Sequence, residues 1–265
     1  MKYPSFLLII LIGFTFTSQA QDLAPGFKLW GSVGLDWEIT NKVSLKYAQI
    51  QGFNANPAKI QFVQPELEVI FKKSKLLTIG LGYKATFLKN SVAFNLNSRV
   101  YNELVFRHNL FKMPLKHTVT SEFFFPSLPK HRFRFIYSLN YYFKNNFLPL
   151  KITPYLKGEI YYYLGGSAIS YYDQNSNLIV KQAPNDFHRF RFGGGITSKP
   201  LPFMRATLYY LYQQEFNTTL TKNRGLNVLS KDQTYYKQPF NNYHVIGLEL
   251  EFDIKTKRKT TKSKI

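Results

Sequence analysis

The chain has 265 residues, no cysteine, and 35 Lys plus Arg against 15 Asp plus Glu, a formal net charge of +20. The missing thiols exclude a disulfide scaffold and a thiolate metal centre. A hydrophobic content of 45%, with 17% aromatic residues, excludes a low-complexity disordered chain.

The chain opens with Lys2, an apolar run from Phe6 to Phe16 and the small-x-small ending Ser18-Gln19-Ala20. This is the pattern of a cleaved secretory signal over residues 1–20, with the mature chain starting near Gln21. The run falls short of the ~20 residues a spanning helix needs, and no Cys follows it to accept a lipid. After Gln21 no stretch approaches a membrane helix in length without charges. A membrane-embedded reading therefore requires a closed β-barrel, the other structure that satisfies every backbone polar group in hydrocarbon.

From there the dominant signal has period two, the period of a strand with one apolar and one polar face. Phe27, Leu29, Gly31, Val33, Leu35, Trp37 and Ile39 alternate with Lys28, Ser32, Asp36, Glu38 and Thr40. The pattern returns in Leu77 to Phe87, in Phe133 to Phe143 against Arg132, Arg134, Ser138 and Asn140, and in Phe190 to Ile196 against Arg189 and Arg191. It returns last in Ile246 to Ile254 against Glu249, Glu251 and Asp253. About eleven such segments start near Phe27, Val43, Ile60, Leu76, Val92, His117, His131, Leu150, Phe187, Phe203 and Tyr243. Breaker clusters such as Thr40-Asn41-Lys42, Lys72 to Lys75 and Pro126 to Lys130 separate them. Two connections are long, Gly165 to Asp186 and Asn217 to Asn242.

The alternative of a soluble β-sandwich or lipocalin-like barrel shares the alternation. The export signal, the strand length and the two faces argue for a transmembrane antiparallel β-barrel over residues 21–254. Trp37, Tyr83, Tyr141, Tyr142, Tyr161 to Tyr163, Tyr209, Tyr210 and Tyr212 sit toward strand ends, as interfacial girdles do. Single-chain bacterial barrels have even strand numbers, so the expectation is twelve strands, with ten as the alternative. The lysine-rich residues 255–265 then form a basic periplasmic tail.

Four stretches, PYLKGEIYYY (Pro154 to Tyr163), FHRFRFGGGI (Phe187 to Ile196), ATLYYLYQQEFN (Ala206 to Asn217) and YHVIGLELEFDI (Tyr243 to Ile254), together with Leu29-Trp30, carry a resemblance. The chain resembles a widespread bacterial family of outer-membrane barrels catalogued as a domain of unknown function. That resemblance implies an outer-membrane barrel and no particular activity.

The polar faces carry Arg99, Glu103, Glu122, Arg132, Arg134, Lys157, Glu159, Arg189, Arg191, Arg205, Glu215, Glu249 and Glu251. A hairpin turning at Pro126 to Lys130 sets Glu122 opposite Arg134, a cross-strand ion pair inside the lumen. Such charges either form a salt-bridge network filling the lumen or line a pore for a small solute. The network, in an outer-membrane protein of structural or interaction role, is the leading reading, and a porin-like channel is the second. A third is an outer-membrane lipid hydrolase, which needs a His beside a Ser. His131, His188 and His244 open strands on the apolar side and are expected outward at the lipid headgroups, while His117 and Ser121 share a face. No metal-ligand spacing and no cofactor motif appears; Gly193-Gly194-Gly195 lacks the Gly-Lys-Ser/Thr of a phosphate loop and more simply relieves crowding, under Tyr209 or at a bend. Export makes nucleic acid an implausible partner for the positive charge. The expected partners are outer-membrane lipids, including lipopolysaccharide phosphates met by Lys181, Lys222, Arg224, Lys231 and Lys237, around a monomer in a Gram-negative outer membrane.

Overall fold

The computed structural model describes residues 26–55, 58–89, 94–110, 113–128, 131–143, 152–216, 218, 228–234, 236–237 and 241–255. The expected signal segment, nearly all of the basic tail and the loop cations Lys222 and Arg224 lie outside them, as does the side chain of Lys237. No described residue is helical.

Eleven strands close a barrel: β1 (Gly26–Glu38), β2 (Val43–Ala55), β3 (Ala58–Lys72), β4 (Leu77–Lys89), β5 (Phe94–Leu110), β6 (Met113–Phe125), β7 (Phe133–Tyr142), β8 (Thr153–Leu164), β11 (Asp186–Leu201), β12 (Met204–Glu215) and β15 (Tyr243–Lys255). Two small hairpins, β9 (Ile169–Tyr172) with β10 (Leu178–Gln182) and β13 (Val228–Leu229) with β14 (Tyr236–Lys237), lie in the two long connections.

The eleven alternating segments of the sequence are these eleven strands, and the expectation of twelve, or of ten, is corrected. The parity rule assumes that the first and last strands meet antiparallel. Here β1 and β15 pair in parallel, from Gly26 opposite Tyr243 to Glu38 opposite Lys255, while every other neighbouring pair is antiparallel. An odd number then closes without an edge, and the barrel is mixed rather than antiparallel. No hairpin hides in the stretch after Ser91, since residues 94–110 are one strand of 17 residues. Both β1 and β15 start at the rim that carries the long connections, and β15 ends at the opposite rim of shorter turns.

Those turns are built by side chains. Thr40 Oγ1 accepts hydrogen bonds from the amides of Lys42 (3.1 Å) and Val43 (3.0 Å). Ser74 Oγ does the same for Leu76 and Leu77. A short hydroxyl side chain thus satisfies donors that the ladder leaves open.

A path along paired residues leaves β1 at Glu38 on the short-turn rim and passes Ser44, Gly80, Glu103 and Tyr161. It reaches Glu215 at the long-loop rim. The strands are therefore steeply tilted, as closure of a barrel requires. Every residue on this path points inward, so one alternation runs unbroken around the wall. Outward, it leaves a continuous apolar surface in which Val33 (51%), Leu81 (54%), Phe192 (51%) and Leu248 (47%) are exposed.

Large inward rings fit because a neighbouring strand offers glycine. A Cβ on Gly82 would stand 2.4 Å from the Tyr101 ring, and one on Gly247 2.1 Å from the Tyr209 ring. The Tyr209 ring therefore lies over Gly247, so that of the two reasons expected for the triple glycine, an aromatic above it or a bend, the ring of Tyr209 is not the one. At Gly193 and Gly195 a Cβ would meet backbone oxygens of β12 at 2.2 and 2.3 Å, so these glycines allow close approach of two backbones.

Candidate functional site: the charged lumen

The half of the lumen near the long-loop rim is filled by a hydrogen-bonded layer. Glu122 on β6 is its first centre. Its Oε1 accepts from Arg99 Nε on β5 at 3.1 Å and its Oε2 from Arg134 Nε on β7 at 2.6 Å. The cross-strand pair read from the hairpin is thus present, Glu122 standing opposite Arg134 in the ladder. Arg99 extends the chain to Thr86 (2.9 Å) and Gln64 (2.7 Å) on β4 and β3. Both guanidiniums also lie over the Phe124 ring, 5.3 and 5.2 Å from its centroid.

The second centre is Arg191 on β11. It donates to Gln213 Oε1 (2.9 Å), to the Tyr161 hydroxyl (2.7 Å) and to the Tyr243 hydroxyl (3.1 Å), and its guanidinium lies 5.5 Å from the Trp30 ring. Tyr161 in turn donates to Glu159 (2.6 Å), which also binds Lys157 (2.7 Å). Arg189 and Glu215 complete the layer at the rim, with Nε to Oε1 at 2.7 Å. Glu122 is 3% exposed and Glu215 0%. Burial of charge this deep is costly unless each group meets opposite charge and directional donors at once.

A polar cavity of about 720 Å³ runs along the lumen: Arg99, Glu122, Arg134 and Arg191 of the layer line it, Leu88, Asn97 and Leu128 line it toward the long-loop rim, and it continues below the layer toward the short-turn rim. Glu66 binds Lys84 at 3.2 Å and accepts from the Tyr101 hydroxyl at 2.6 Å. Glu251 binds Lys46 at 3.1 Å and Arg205 at 3.3 Å. Lys116, Glu103 and Glu249 face the cavity without an ion pair among the described residues. Toward the short-turn rim Lys72 and Arg107 are exposed and Glu38 is half-buried, so the cavity opens there. Carboxylate oxygens of Asp36, Glu251 and Asp253 gather within 4.8 Å, but Lys46 and Arg205 already neutralise Glu251, which leaves no cation site in this trio.

Of the thirteen charged residues read from the sequence, twelve point into the lumen and Arg132 does not. It precedes β7, where alternation no longer constrains it, and its guanidinium lies on the outward Phe123 ring, 5.1 Å from the centroid. His131 and His188 are corrected as well. His131 is 5% exposed, its ring 4.6 Å from that of Phe124 and 4.8 Å from that of Tyr163. His188 is 0% exposed, because the register slips between Phe187 and Arg189 and this bulge turns it off the apolar face. His244 is outward as expected, its Nδ1 sharing a hydrogen bond with the Tyr210 hydroxyl at 2.6 Å. The Nδ1 of His117 is likewise engaged by the Tyr137 hydroxyl at 2.8 Å, not by Ser121. Tyr142, Tyr161, Tyr163 and Tyr209, expected among the girdle aromatics, point inward.

The sequence reading missed Lys46, Gln64, Glu66, Lys84, Tyr101, Lys116 and Tyr243. Each holds an inward position in the same alternation as the residues it did name, so the signal was present. What was lacking was the pairing that brings β2 to β15 and β3 to β5.

The long connections are built around their own hairpins. Ile169 and Tyr171 on β9 are buried against Val180 on β10. Asp173 Oδ1 accepts from the amides of Asn175 and Asn177, both at 2.8 Å, which holds its carboxyl below the usual range. Gln233 Nε2 reaches the Asp173 carbonyl at 3.2 Å and ties the second hairpin to the first.

No curated protein matches the chain. A family model matches residues 27–224, from β1 through β12 and into the connection that follows, so that the β13–β14 hairpin and the closing strand β15 lie beyond it. The chain therefore belongs to the family described as protein of unknown function (DUF2490).

Proposed function

We propose that this chain is a monomeric outer-membrane β-barrel, exported by its N-terminal segment, whose lumen is closed to through-flow and serves a structural or binding role. The observation that carries the reading is the layer joining Arg99, Glu122, Arg134, Tyr161, Arg191, Gln213 and Tyr243 across strands β5 to β15. Its two hydrogen-bonded centres meet where the Arg134 guanidinium lies over the Tyr161 ring, 5.7 Å from the centroid, so a hydrated ion passing through would have to displace charge-assisted bonds. An apolar outer face on a barrel without edges supports burial in lipid. Outer-membrane lipids are the proposed surroundings, with loop cations such as Lys181 meeting anionic headgroups.

The test is planar-bilayer recording of purified, refolded protein whose heat-dependent gel mobility proves that it is folded. Silence from wild type, and discrete steps from Glu122→Ala combined with Arg191→Ala, are expected. Reproducible wild-type conductance with ion preference would sink the closed-lumen reading in favour of the porin-like one. Recovery of mature protein in the soluble fraction would sink the membrane reading itself.

A further inference from the structure

Resting on the closed lumen, we propose that the cavity beneath the layer binds a small zwitterion of dipeptide size, entering from the short-turn rim. A pocket of about 720 Å³ is of the size that holds small ligands. Most charges on its wall are already neutralised by a neighbour, and the exceptions are arranged with polarity. Lys116 on β6 faces the cavity with Arg107 opposite it in the β5 ladder, two cations that enter no close ion pair among the described residues, with Glu103 the carboxylate that acts on Lys116. Asn140, opposite Lys116 on β7, adds an amide donor, its Nδ2, which reaches the Tyr142 hydroxyl at 3.4 Å. This corner suits a carboxylate.

Glu249 on β15 is the counterpart. In the order of the eleven strands β15 lies five places from β6 one way and six the other, which puts it on the opposite wall. Tyr209, packed over Gly247 two residues before Glu249, lines the cavity beside it, so an ammonium there meets a carboxylate and an aromatic ring. Glu103 lies two inward positions deeper than Arg107 on β5 and repels a ligand carboxylate placed nearer the layer.

The span sets the length. Eleven tilted strands at ~4.8 Å spacing enclose a wall about 20 Å across. Extended Lys and Glu side chains leave roughly 10 Å between their charged ends, the reach of two residues at ~3.5 Å each plus the hydrogen bonds at either end.

The experiment is calorimetric titration of folded protein in micelles with dialanine, with N-acetyl-dialanine, which lacks the ammonium, and with dialanine amide, which lacks the carboxylate. Dialanine is expected to bind saturably, and each blocked form at least tenfold more weakly. Lys116→Met is expected to bind dialanine no better than the amide. Glu249→Gln is expected to bind it no better than the acetylated form. Both variants should keep the heat-dependent mobility of the folded barrel. No saturable binding, equal binding of all three ligands, or variants that bind as wild type does would each overturn the proposal. Bilayer recordings on the same sample separate the two readings: silence without binding removes the pocket alone, and conductance with binding removes the closed layer alone.

Discussion

Glu122 shows at the scale of one residue what the barrel interior demands. It is almost fully buried and yet ionised, because Arg99 and Arg134 reach it from the strands on either side. Removing it leaves two guanidiniums facing each other across Phe124 with no anion between them. Glu122→Ala is therefore expected to destabilise the folded barrel by about 3 to 5 kcal/mol, read from urea unfolding in micelles. Replacing Arg99 by Met in the same chain should return part of that loss; a double variant less stable than Glu122→Ala alone would show that the arginines are not in conflict. Gly247 makes a steric counterpart. Gly247→Val puts side-chain carbon where the Tyr209 ring lies, and it should be markedly more destabilising in wild type than in a Tyr209→Ala background. Equal effects in both backgrounds would contradict the packing of that ring over the glycine.

Among the elements, the β1–β15 seam decides the architecture. Parallel pairing sets Val33 opposite Leu250, both on the outer face. Because the chain has no cysteine, Val33→Cys with Leu250→Cys gives an unambiguous probe. Rapid disulfide formation on mild oxidation is expected from the parallel register, and its failure in a folded sample would contradict the eleven-strand closure. The loop hairpins are a second case. The Asp173 carboxylate holds the β9–β10 turn by accepting two amides. Its folded-state pKa is depressed, so its contribution is present above the ordinary Asp range and lost as pH falls through and below that range. The protection factors of the Asn175 and Asn177 amides should fall in that acid window, and Asp173→Asn should remove this pH dependence of protection.

For the whole molecule, the lumen is divided along its axis. Exposure of inward side chains rises from Glu215 and Glu122 near the long-loop rim to Lys46 and Arg205 near the other. On the closed-lumen reading proposed above, that gradient makes a vessel closed at one end rather than a pipe. Odd closure adds that the chain enters β1 and leaves β15 at opposite rims. In intact cells a short epitope placed before Gly26 and one placed after Lys255 are expected to report opposite sides of the membrane. Exposure of both on one side would require an even strand number.

By itself the sequence determined the eleven alternating segments, the two faces of each strand and twelve residues of the charged lining, though not Lys46, Glu66, Lys84 or Lys116. Those follow from a period of two, which any local window reveals, as in Phe133 to Tyr142. The Glu122–Arg134 pair was legible too, because a tight hairpin couples residues only twelve positions apart. The tertiary structure decided what depends on distant chain. The union of β1 with β15 is hydrogen-bonded across more than two hundred residues, and no local pattern states whether such partners run parallel. The bulge at His188 and the partners of Arg191, drawn from β8, β12 and β15, rest on the same closure. So does the gathering of the layer's side chains at one height of the lumen: strand tilt, set by the stagger of the closed wall, fixes which inward residues share a level, and the stagger exists only once the barrel is shut.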